Sequence, residues 1–407
     1  MTILIWLKFA WKNIWRNRRR SLTTIGITSV GVSGLLFFGG FALFTYESLE
    51  EFSARQQGHV IIAHADYFDV EEETPMSLGL DNWRVLREQI ETRDRVRRVL
   101  PRIEFSGLIS NGDKSSIFIA DGVDARYEFT VTGPFMNVSS GDVLNPEHQG
   151  TPQIMLASEL ARQLKAEVGS TLTLLSTTAG GVLNGIDVEV SGIFGTGIPE
   201  LDKRKVMVTL ETAQALIDSQ RVSKLAVYLR ETTDTYNFQE QLQKEYSHLA
   251  TRNWNDMAFF YHKVKNLYDR IFSIVGVVIV IVVLLSVINT ISMTVMERTR
   301  EIGTMAALGT YPREMLTNFL LESVLIGLIG AFIGVVIAGA LTLYLQFANI
   351  MMPPPPGMTE GYPLSIAFSP SLYLETALVM IIVTAVGAFF AARKGVRRPI
   401  VEALAHV

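Results

Sequence analysis

The sequence of 407 residues contains no cysteine. Disulfide bonds are therefore excluded, and any exported domain must be held together by its hydrophobic core. Lysine and arginine are also missing from four long apolar runs, which are Leu22–Thr45, Ile271–Met293, Leu316–Leu345 and Leu372–Ala392. A helix needs roughly 20 apolar residues to cross a ~30 Å hydrocarbon core. The sequence therefore predicts four transmembrane helices.

Basic residues are absent from the segment Gln346–Ser371 as well, between the third and fourth predicted helices. They cluster instead before the first, between the second and third, and after the fourth helix: Lys8, Lys12, Arg16, Arg18, Arg19, Arg20, Arg298, Arg300, Arg313, Arg393, Lys394, Arg397 and Arg398. By the positive-inside rule, these three segments and both termini are predicted to lie in the cytoplasm. The segment between the first two helices then lies outside, and its surplus of acidic residues argues against nucleic-acid binding.

No pattern for catalysis or cofactor binding stands out. The nearest approach to a phosphate-binding loop, Gly107 to Ser115, contains Asp113, which would repel phosphate. Asn111-Gly112 between β-forming runs predicts a hairpin turn there instead. The histidines His59, His64, His148, His248, His262 and His406 lack metal-ligand spacing. We therefore predict a chain that has no catalytic residues and binds no metal or cofactor itself.

The predicted fold is an α-helical membrane protein with four transmembrane helices and a large two-lobed α+β extracytoplasmic domain between helices 1 and 2. Strand–helix–strand patterns at 59–110 and 224–254 predict one α/β lobe, and the β-rich stretch at about 115–220 predicts a second lobe inserted into it. The predicted segments are a cytoplasmic interfacial amphipathic helix (1–20), transmembrane helix 1 with a stalk (21–56), the extracytoplasmic domain (57–254), a stalk with transmembrane helix 2 (255–293), a charged cytoplasmic helix (294–315), transmembrane helix 3 (316–345), an outer loop (346–371), transmembrane helix 4 (372–392) and a cytoplasmic tail (393–407).

Two patterns predict helix packing. Phe260, Val264 and Leu267 recur at helical spacing before the second span and predict a stalk that packs against the end of the first. Small residues at Gly327, Gly330, Gly334 and Gly387 predict close helix contacts in lipid. With only four spans per chain, this pattern favours a dimer.

Two groups of charges leave alternatives open. Glu322, near the start of the third span, is either an ion-coupling carboxylate or a first-turn acid that favours a helix N-terminus, and its position favours the second interpretation. The alternating charges at Glu297–Glu301 are either a solvated face or a contact for another protein. Gly303 and Gly309 bracket an alanine-rich turn beside them, which favours the contact.

At these residues the sequence resembles a known family. Three stretches are similar to the MacB/FtsX superfamily of ABC permeases, also called type VII. They are the start FAWKNIWRNRRRSLTTIGITSVGV, the segment NTISMTVMERTREIGTMAALGTYPREMLTNFLLESVLIGLIGAFIG and the tail AARKGVRRPIVEALAHV. The middle, with GIFGTGIPELDK, resembles the external domain of that family. By layout the chain is closest to the lipoprotein-releasing LolC and LolE permeases, although the receptor-binding hook of those proteins has no clear counterpart in it and the outer loop at Met351–Pro356 has no counterpart in them.

The resemblance implies a mechanism and a set of partners. It implies that a separate ABC ATPase dimer, which binds ATP and Mg, sits on a coupling helix formed by Glu297, Arg298, Thr299, Arg300, Glu301, Ile302, Gly303, Ala307, Leu308 and Gly309. Closure of the ATPase would move the external domains, so that a lipoprotein or other amphipathic substrate is extracted from a bacterial inner membrane or exported from the periplasm. Other implied partners are a second or related permease, a periplasmic carrier or adaptor, and membrane lipids.

Three other functions remain open at this point. An FtsX-like scaffold would activate a periplasmic cell-wall hydrolase, and a MacB-like permease would export drugs or peptides. A membrane-anchored enzyme would need a set of catalytic residues that the sequence does not display.

Overall fold

The computed structural model describes residues 2–16, 18–72, 74–132, 136–348, 350–352 and 362–396. These form a helical unit (2–46, 265–352 and 363–396) and a large domain (Glu47–Val264). The proline-rich stretch 353–356 and the tail beyond residue 396 lie outside the described residues.

The elements in chain order are α1 (Thr2–Arg16), α2 (Arg18–Gln57), β1 (Val60–His64), α3 (Trp83–Glu91), β2 (Val96–Ser110), β3 (Ser115–Val123), α4 (Glu128–Thr132), β4 (Asn137–Gly141), β5 (Gln153–Ala157), α5 (Ser158–Leu164), β6 (Thr171–Thr177), β7 (Leu183–Gly195), α6 (Pro199–Asp202), β8 (Lys205–Thr209), α7 (Leu210–Ile217), β9 (Lys224–Leu229), α8 (Thr235–Glu245), β10 (Leu249–Asn253), α9 (Trp254–Met257), α10 (Phe259–Glu297), α11 (Thr299–Ala307), α12 (Pro312–Ala348), β11 (Met351–Met352), β12 (Tyr362–Pro363) and α13 (Pro370–Val396). Among the described residues, four helices are long and apolar enough to cross a membrane: α2, α10, α12 and α13. The four predicted spans are thus helices, and the large domain follows the first of them.

The first lobe of the large domain contains the two predicted strand–helix–strand units, β1–α3–β2 and β9–α8–β10. Their strands lie side by side in the order β10-β1-β9-β2, and each neighbouring pair is antiparallel. This arrangement of two interlocked strand–helix–strand units is that of a split βαβ fold. One face of the sheet is buried under α3 and α8, where Ile90 and Phe238 are almost fully enclosed.

The second lobe continues the same sheet. Strands β3, β8, β5, β7 and β4 follow β2 in order, and β6 pairs with both β2 and β7. Strand β2 connects the lobes because its 15 residues pair with β9 at one end and with β6 at the other. The sequence predicts two lobes; the structure shows in addition that they share one sheet and one hydrophobic core.

Turn residues behave as the sequence predicts. Ser110 pairs with Ser115 at the end of the β2–β3 hairpin, and Gly112 has a φ of +93°, which glycine adopts without strain. The side chain of Asn111 accepts hydrogen bonds from the backbone N–H groups of Asp113 and Lys114. The turn at Asn111-Gly112 is therefore confirmed. Six short elements were not predicted: α4, β4, α6, α9, β11 and β12.

The predicted small residues of the helical unit do mark close helix contacts. A Cβ at Gly330 would lie 2.8 Å from Cβ of Thr28, and one at Gly334 would lie 2.6 Å from Cβ of Val32, both in α2. Likewise, a Cβ at Gly327 would lie 2.4 Å from Thr384 of α13, and Gly387 faces Val287 of α10. All four glycines thus pack within one chain. These contacts account for the glycines within the chain, and the dimer stays a prediction.

The predicted stalk stripe is displaced by one position. Val264 is buried as predicted, but Leu267 is 42% exposed, and the side chain of Phe260 lies outside the described ones. The enclosed side of α10 carries Tyr261 and Val264 instead, and the Tyr261 ring packs edge-on against Trp254. The prediction from the sequence is wrong here because two overlapping apolar stripes fit helical spacing. Only the tertiary contacts decide which of the two stripes is buried.

Candidate functional site

The charged segment between the second and third spans folds as a short separate helix. The helical conformation is interrupted at Arg298, between α10 and α11. Gly309, with a φ of +92°, lies in the turn that follows α11. Pro312 then begins α12, a position at which its missing N–H costs nothing. The predicted single helix over 294–315 is therefore corrected. Only Thr299–Ala307 forms α11. Residues 294–297 end α10, residues 312–315 begin α12, and Arg298 and residues 308–311 form the turns between the helices.

One side of α11 is packed into the helical unit. Thr299, Ile302 and Gly303 are buried, and Ile302 belongs to a core cluster with Met315 and Phe319 of α12. Arg298, just before the helix, is also buried. Four of the ten predicted coupling residues therefore hold α11 in place rather than face outward.

The other side of α11 and the turn after it are exposed. Arg300, Glu301, Ala307 and Gly309 are exposed, and Glu297 is exposed at the end of α10. Leu308 is 82% exposed. Tyr311, which the sequence analysis missed, is 72% exposed. A large aromatic residue between Gly309 and Pro312, in an otherwise charged segment, was the signal that could have identified it.

Two ion pairs connect this exposed side to the start of the chain. The Arg16 guanidinium donates two hydrogen bonds, of 3.0 and 2.9 Å, to the carboxylate of Glu301. Arg20 pairs with Glu297. Arg16 and Glu301 are more than half exposed, so their pair contributes about 0–1 kcal/mol to stability. It places the side chains of α1 and α11 in direct contact.

Glu322 is buried and lies beyond the first turn of α12. It is the eleventh residue of α12, is 3% exposed, and its carboxylate lies 3.5 Å from the Arg298 guanidinium. The expectation of a first-turn acid is wrong because Pro312 starts the helix four residues earlier than predicted. Its charge is balanced by Arg298 rather than by the helix N-terminus.

A second charged site, in the large domain, was missed by the sequence analysis. Arg102 of β2 is buried and donates hydrogen bonds of 2.6 Å to Glu128 of α4 and to the Gln56 carbonyl near the end of α2. The Tyr228 hydroxyl of β9 accepts from Arg102 and donates to the Arg55 carbonyl. A cation at a helix C-terminus stabilises the helix dipole, so Arg102 attaches the end of α2 to the sheet. Burial raises the pKa of Glu128, and the neighbouring Arg102 opposes this shift.

Two further groups in the large domain have altered pKa values. Burial raises the pKa of Glu104, but Lys224 at 2.6 Å and a hydrogen bond from the Tyr67 hydroxyl outweigh it and bring the pKa to about 2. Burial lowers the pKa of His59 to about 4. Its Nδ1 accepts from the Leu229 N–H, so the ring is neutral in the fold.

None of these sites has the arrangement of a catalytic or metal centre. Within the described part of the chain, no group of three His, Asp or Glu side chains is placed to hold a metal ion. The charged groups are paired with one another, and the pairs join helices to helices or helices to the sheet. Such an arrangement can hold elements together and present a surface.

Comparison with known proteins identifies two family domains. The model of the MacB-like periplasmic core domain matches residues 21–245, and that of the FtsX-like permease C-terminal domain matches residues 273–400. The macrolide export ATP-binding/permease protein MacB of Shigella sonnei is 28% identical over 302 residues. The match covers 70% of this chain and 43% of MacB, so the chain aligns with less than half of that relative.

Two more relatives resemble parts of the chain. The lipoprotein-releasing system transmembrane protein LolE of Haemophilus influenzae is 21% identical over 300 residues, which are 70% of each chain. The crystal structure of the periplasmic region of MacB from Actinobacillus actinomycetemcomitans covers 50% of this chain and 93% of that one, with 15% identity and a TM-score of 0.35. The assignment to a family rests on the two domain models. The match to the periplasmic core domain alone spans more than half of the chain. The chain therefore belongs to the MacB/FtsX family of ABC transporter permeases.

Proposed function

We propose that this chain is the permease subunit of an inner-membrane ABC transporter that extracts or exports a lipoprotein or another amphipathic substrate. ATP and Mg would be bound by a separate ATPase dimer on the cytoplasmic side, and the chain itself would perform no chemistry. Movement of α11 would pass through the long helices α10 and α2 to the large domain in the periplasm. A second copy or a related permease would complete the transporter, and a periplasmic carrier or adaptor would receive the substrate.

The exposed turn after α11 carries this proposal. Leu308 and Tyr311 are large side chains that are 82% and 72% exposed in a segment rich in charge. Exposed apolar residues surrounded by polar ones are typical of protein contact sites. Because the opposite side of α11 is packed against α12, a partner that pushes on Leu308 would move the long helices rather than a loose loop.

The test is whether these residues bind the ATPase. The full chain would be expressed with the ATPase encoded nearest to it, purified, and tested for co-purification and for ATP hydrolysis. We expect Leu308→Asp to reduce co-purification at least tenfold. The matched control is Val85→Asp in the large domain, which is 57% exposed and should retain full binding. If the Leu308→Asp variant folds normally and binds the ATPase fully, Leu308 is not part of the docking site.

The substrate class requires a second experiment. Similarity to LolE supports a lipoprotein, and similarity to MacB, which is named for macrolide export, supports a drug-like substrate. Cells that lack the gene would be tested for lipoproteins retained in the inner membrane and for macrolide sensitivity. Lipoprotein retention alone is the expected result, and macrolide sensitivity alone would favour the efflux alternative.

A further inference from the structure

A cavity lies beside α11 within the helical unit, and neither the family comparison nor the proposed function assigns it a role. Its volume is ≈ 220 Å³. One water needs only about 10–15 Å³ of such volume, so the cavity is large enough for a much bigger group. The described residues that line it are Phe9, Arg16, Arg298, Glu301, Ile302, Met305, Met315, Asn318 and Phe319.

Two buried polar atoms at this cavity have no partner in the protein. They are Nη2 of Arg298, a donor, and Oδ1 of Asn318, an acceptor. Arg298 is 7% and Asn318 is 4% exposed, so bulk water does not reach them freely. Leaving such a buried group unpaired costs about 1–3 kcal/mol, and more when it is charged. The cavity therefore favours an occupant that both accepts and donates hydrogen bonds.

The charges around the cavity indicate the kind of occupant. Of the charged residues that line it, Arg16 is paired with Glu301, and Arg298 lies 3.5 Å from Glu322, which is outside the lining. Both cations therefore have an anionic partner, and the atoms left without a partner are one donor, on Arg298, and one acceptor, on Asn318. A zwitterion places each of its charges opposite a complementary group.

The remaining walls are apolar and reach the surface of α1. Ile302, Met305 and Phe319 form part of the lining. Phe9 of α1 also lines the cavity and is 42% exposed, so this side chain reaches from the cavity wall to the surface. The same helix exposes Trp11 and, near its end, Trp15, among basic residues, as helices at a membrane surface do.

We propose that this cavity binds the phosphoethanolamine headgroup of a phospholipid at the membrane surface beside α1. The phosphate accepts a hydrogen bond from Nη2 of Arg298, and the ammonium group donates one to Oδ1 of Asn318. The glycerol end of the lipid leaves along Phe9 and Met305. A bound lipid would then join α1, α11 and α12 at the point where Arg16 meets Glu301.

The test uses the full chain, purified in detergent and stripped of lipid, with bound lipid counted by native mass spectrometry. Dioleoyl phosphatidylethanolamine is the probe. We expect one molecule to bind with higher affinity than the others. Met305→Trp should weaken that site at least tenfold because it fills the cavity. The matched control Met296→Trp changes an exposed side chain that does not line the cavity, and it should bind as the unaltered chain does.

A second variant covers the case in which Met305→Trp fails to fold, which its melting temperature would reveal. Asn318→Leu removes the acceptor and should abolish the preference for phosphatidylethanolamine over phosphatidylglycerol. Free O-phosphoethanolamine and inorganic phosphate are measured in parallel, and weak or absent stabilisation by both is expected. Equal binding by Met305→Trp and Met296→Trp, an unchanged headgroup preference in Asn318→Leu, or saturable binding of free phosphate at the site would each overturn the proposal.

Discussion

At the scale of single residues, the ion pair between Arg298 and Glu322 shows how burial changes the meaning of a charge. Both side chains are less than one tenth exposed. A buried ion pair adds little net stability compared with apolar residues of similar size, but removing one partner leaves a buried charge unpaired. The pair therefore fixes the junction of α10, α11 and α12 more than it stabilises the fold.

This difference gives a prediction for a double-mutant cycle. Glu322→Leu should lower the free energy of unfolding by about 3–5 kcal/mol, because it leaves Arg298 unpaired. The double variant Arg298→Met with Glu322→Leu should recover most of that loss. Unfolding of the full chain in lipid nanodiscs, followed by tryptophan fluorescence, would measure the cycle. A double variant as unstable as the sum of the two single ones would show that the residues do not act as a pair.

His59 gives a prediction for pH. Its pKa of about 4 in the fold is below the ordinary value of 6.5, so the unfolded chain binds more protons between those values. Stability from the neutral ring is therefore complete above pH 6.5 and is lost as pH falls to about 4, by up to about 1.4 kcal/mol per pH unit.

The variant His59→Gln should remove this part of the acid destabilisation. Melting temperatures of the full chain between pH 4 and pH 7 would measure it, with His148→Gln as the control because His148 is exposed. If both variants keep the slope of the unaltered chain, His59 is not its source.

At the scale of elements, the long helices are held together by small residues whose partners lie in the same chain. Gly334 touches α2 and leaves no room for a methyl group, whereas a Cβ at Gly339, five residues later in α12, would meet nothing within 4 Å. Both glycines lie in α12 and differ in whether α2 contacts them, so they form a matched pair. Lipid offers helices no hydrophobic driving force for association, and close packing has to supply it.

Replacing these glycines by alanine should have opposite effects. Gly334→Ala forces a methyl group against Val32 and should destabilise the chain by about 1–3 kcal/mol. Gly339→Ala should be neutral or stabilising by up to about 1 kcal/mol, because alanine favours a helix. Melting of both variants in nanodiscs compares them directly. Equal melting temperatures would show that α2 shifts to accommodate the methyl group without a loss of stability.

At the scale of the whole molecule, the orientation across the membrane is the prediction on which the proposed function depends. The chain contains no cysteine, so single cysteines can be introduced without a background. Val182 is 66% exposed in the large domain, and Arg300 is exposed on α11. The proposed function requires these two positions to lie on opposite sides of the membrane.

Labelling of intact cells would test this orientation. A maleimide that cannot cross the inner membrane should label Val182→Cys from the periplasm and should label Arg300→Cys only after the membrane is permeabilised. Equal labelling of both before permeabilisation would remove the basis for a cytoplasmic ATPase site. Co-purification with the ATPase would serve as the control for correct folding of both variants.

The sequence by itself determined the number of long helices, the place of the large domain and most of its strands. These features follow from local patterns, namely apolar runs, alternating strands and turn residues such as Asn111-Gly112, and such patterns can be read along the chain. It also indicated the charged segment, whereas Leu308 was named there only through the resemblance to the family, and its exposure comes from the structure. The predicted helix boundary beside Pro312 and the predicted burial of Leu267 were wrong, because neighbouring positions fit the same periodicity.

Only the tertiary structure decided which of these residues touch. The single sheet that joins the two lobes, the pairing of Arg298 with Glu322, and the attachment of α2 through Arg102 each connect residues that are distant along the chain. The sequence does not distinguish a charged side chain that is solvated from one that is buried. Its role depends on the partners and the solvent exposure that folding gives it, and neither is a local property of the chain.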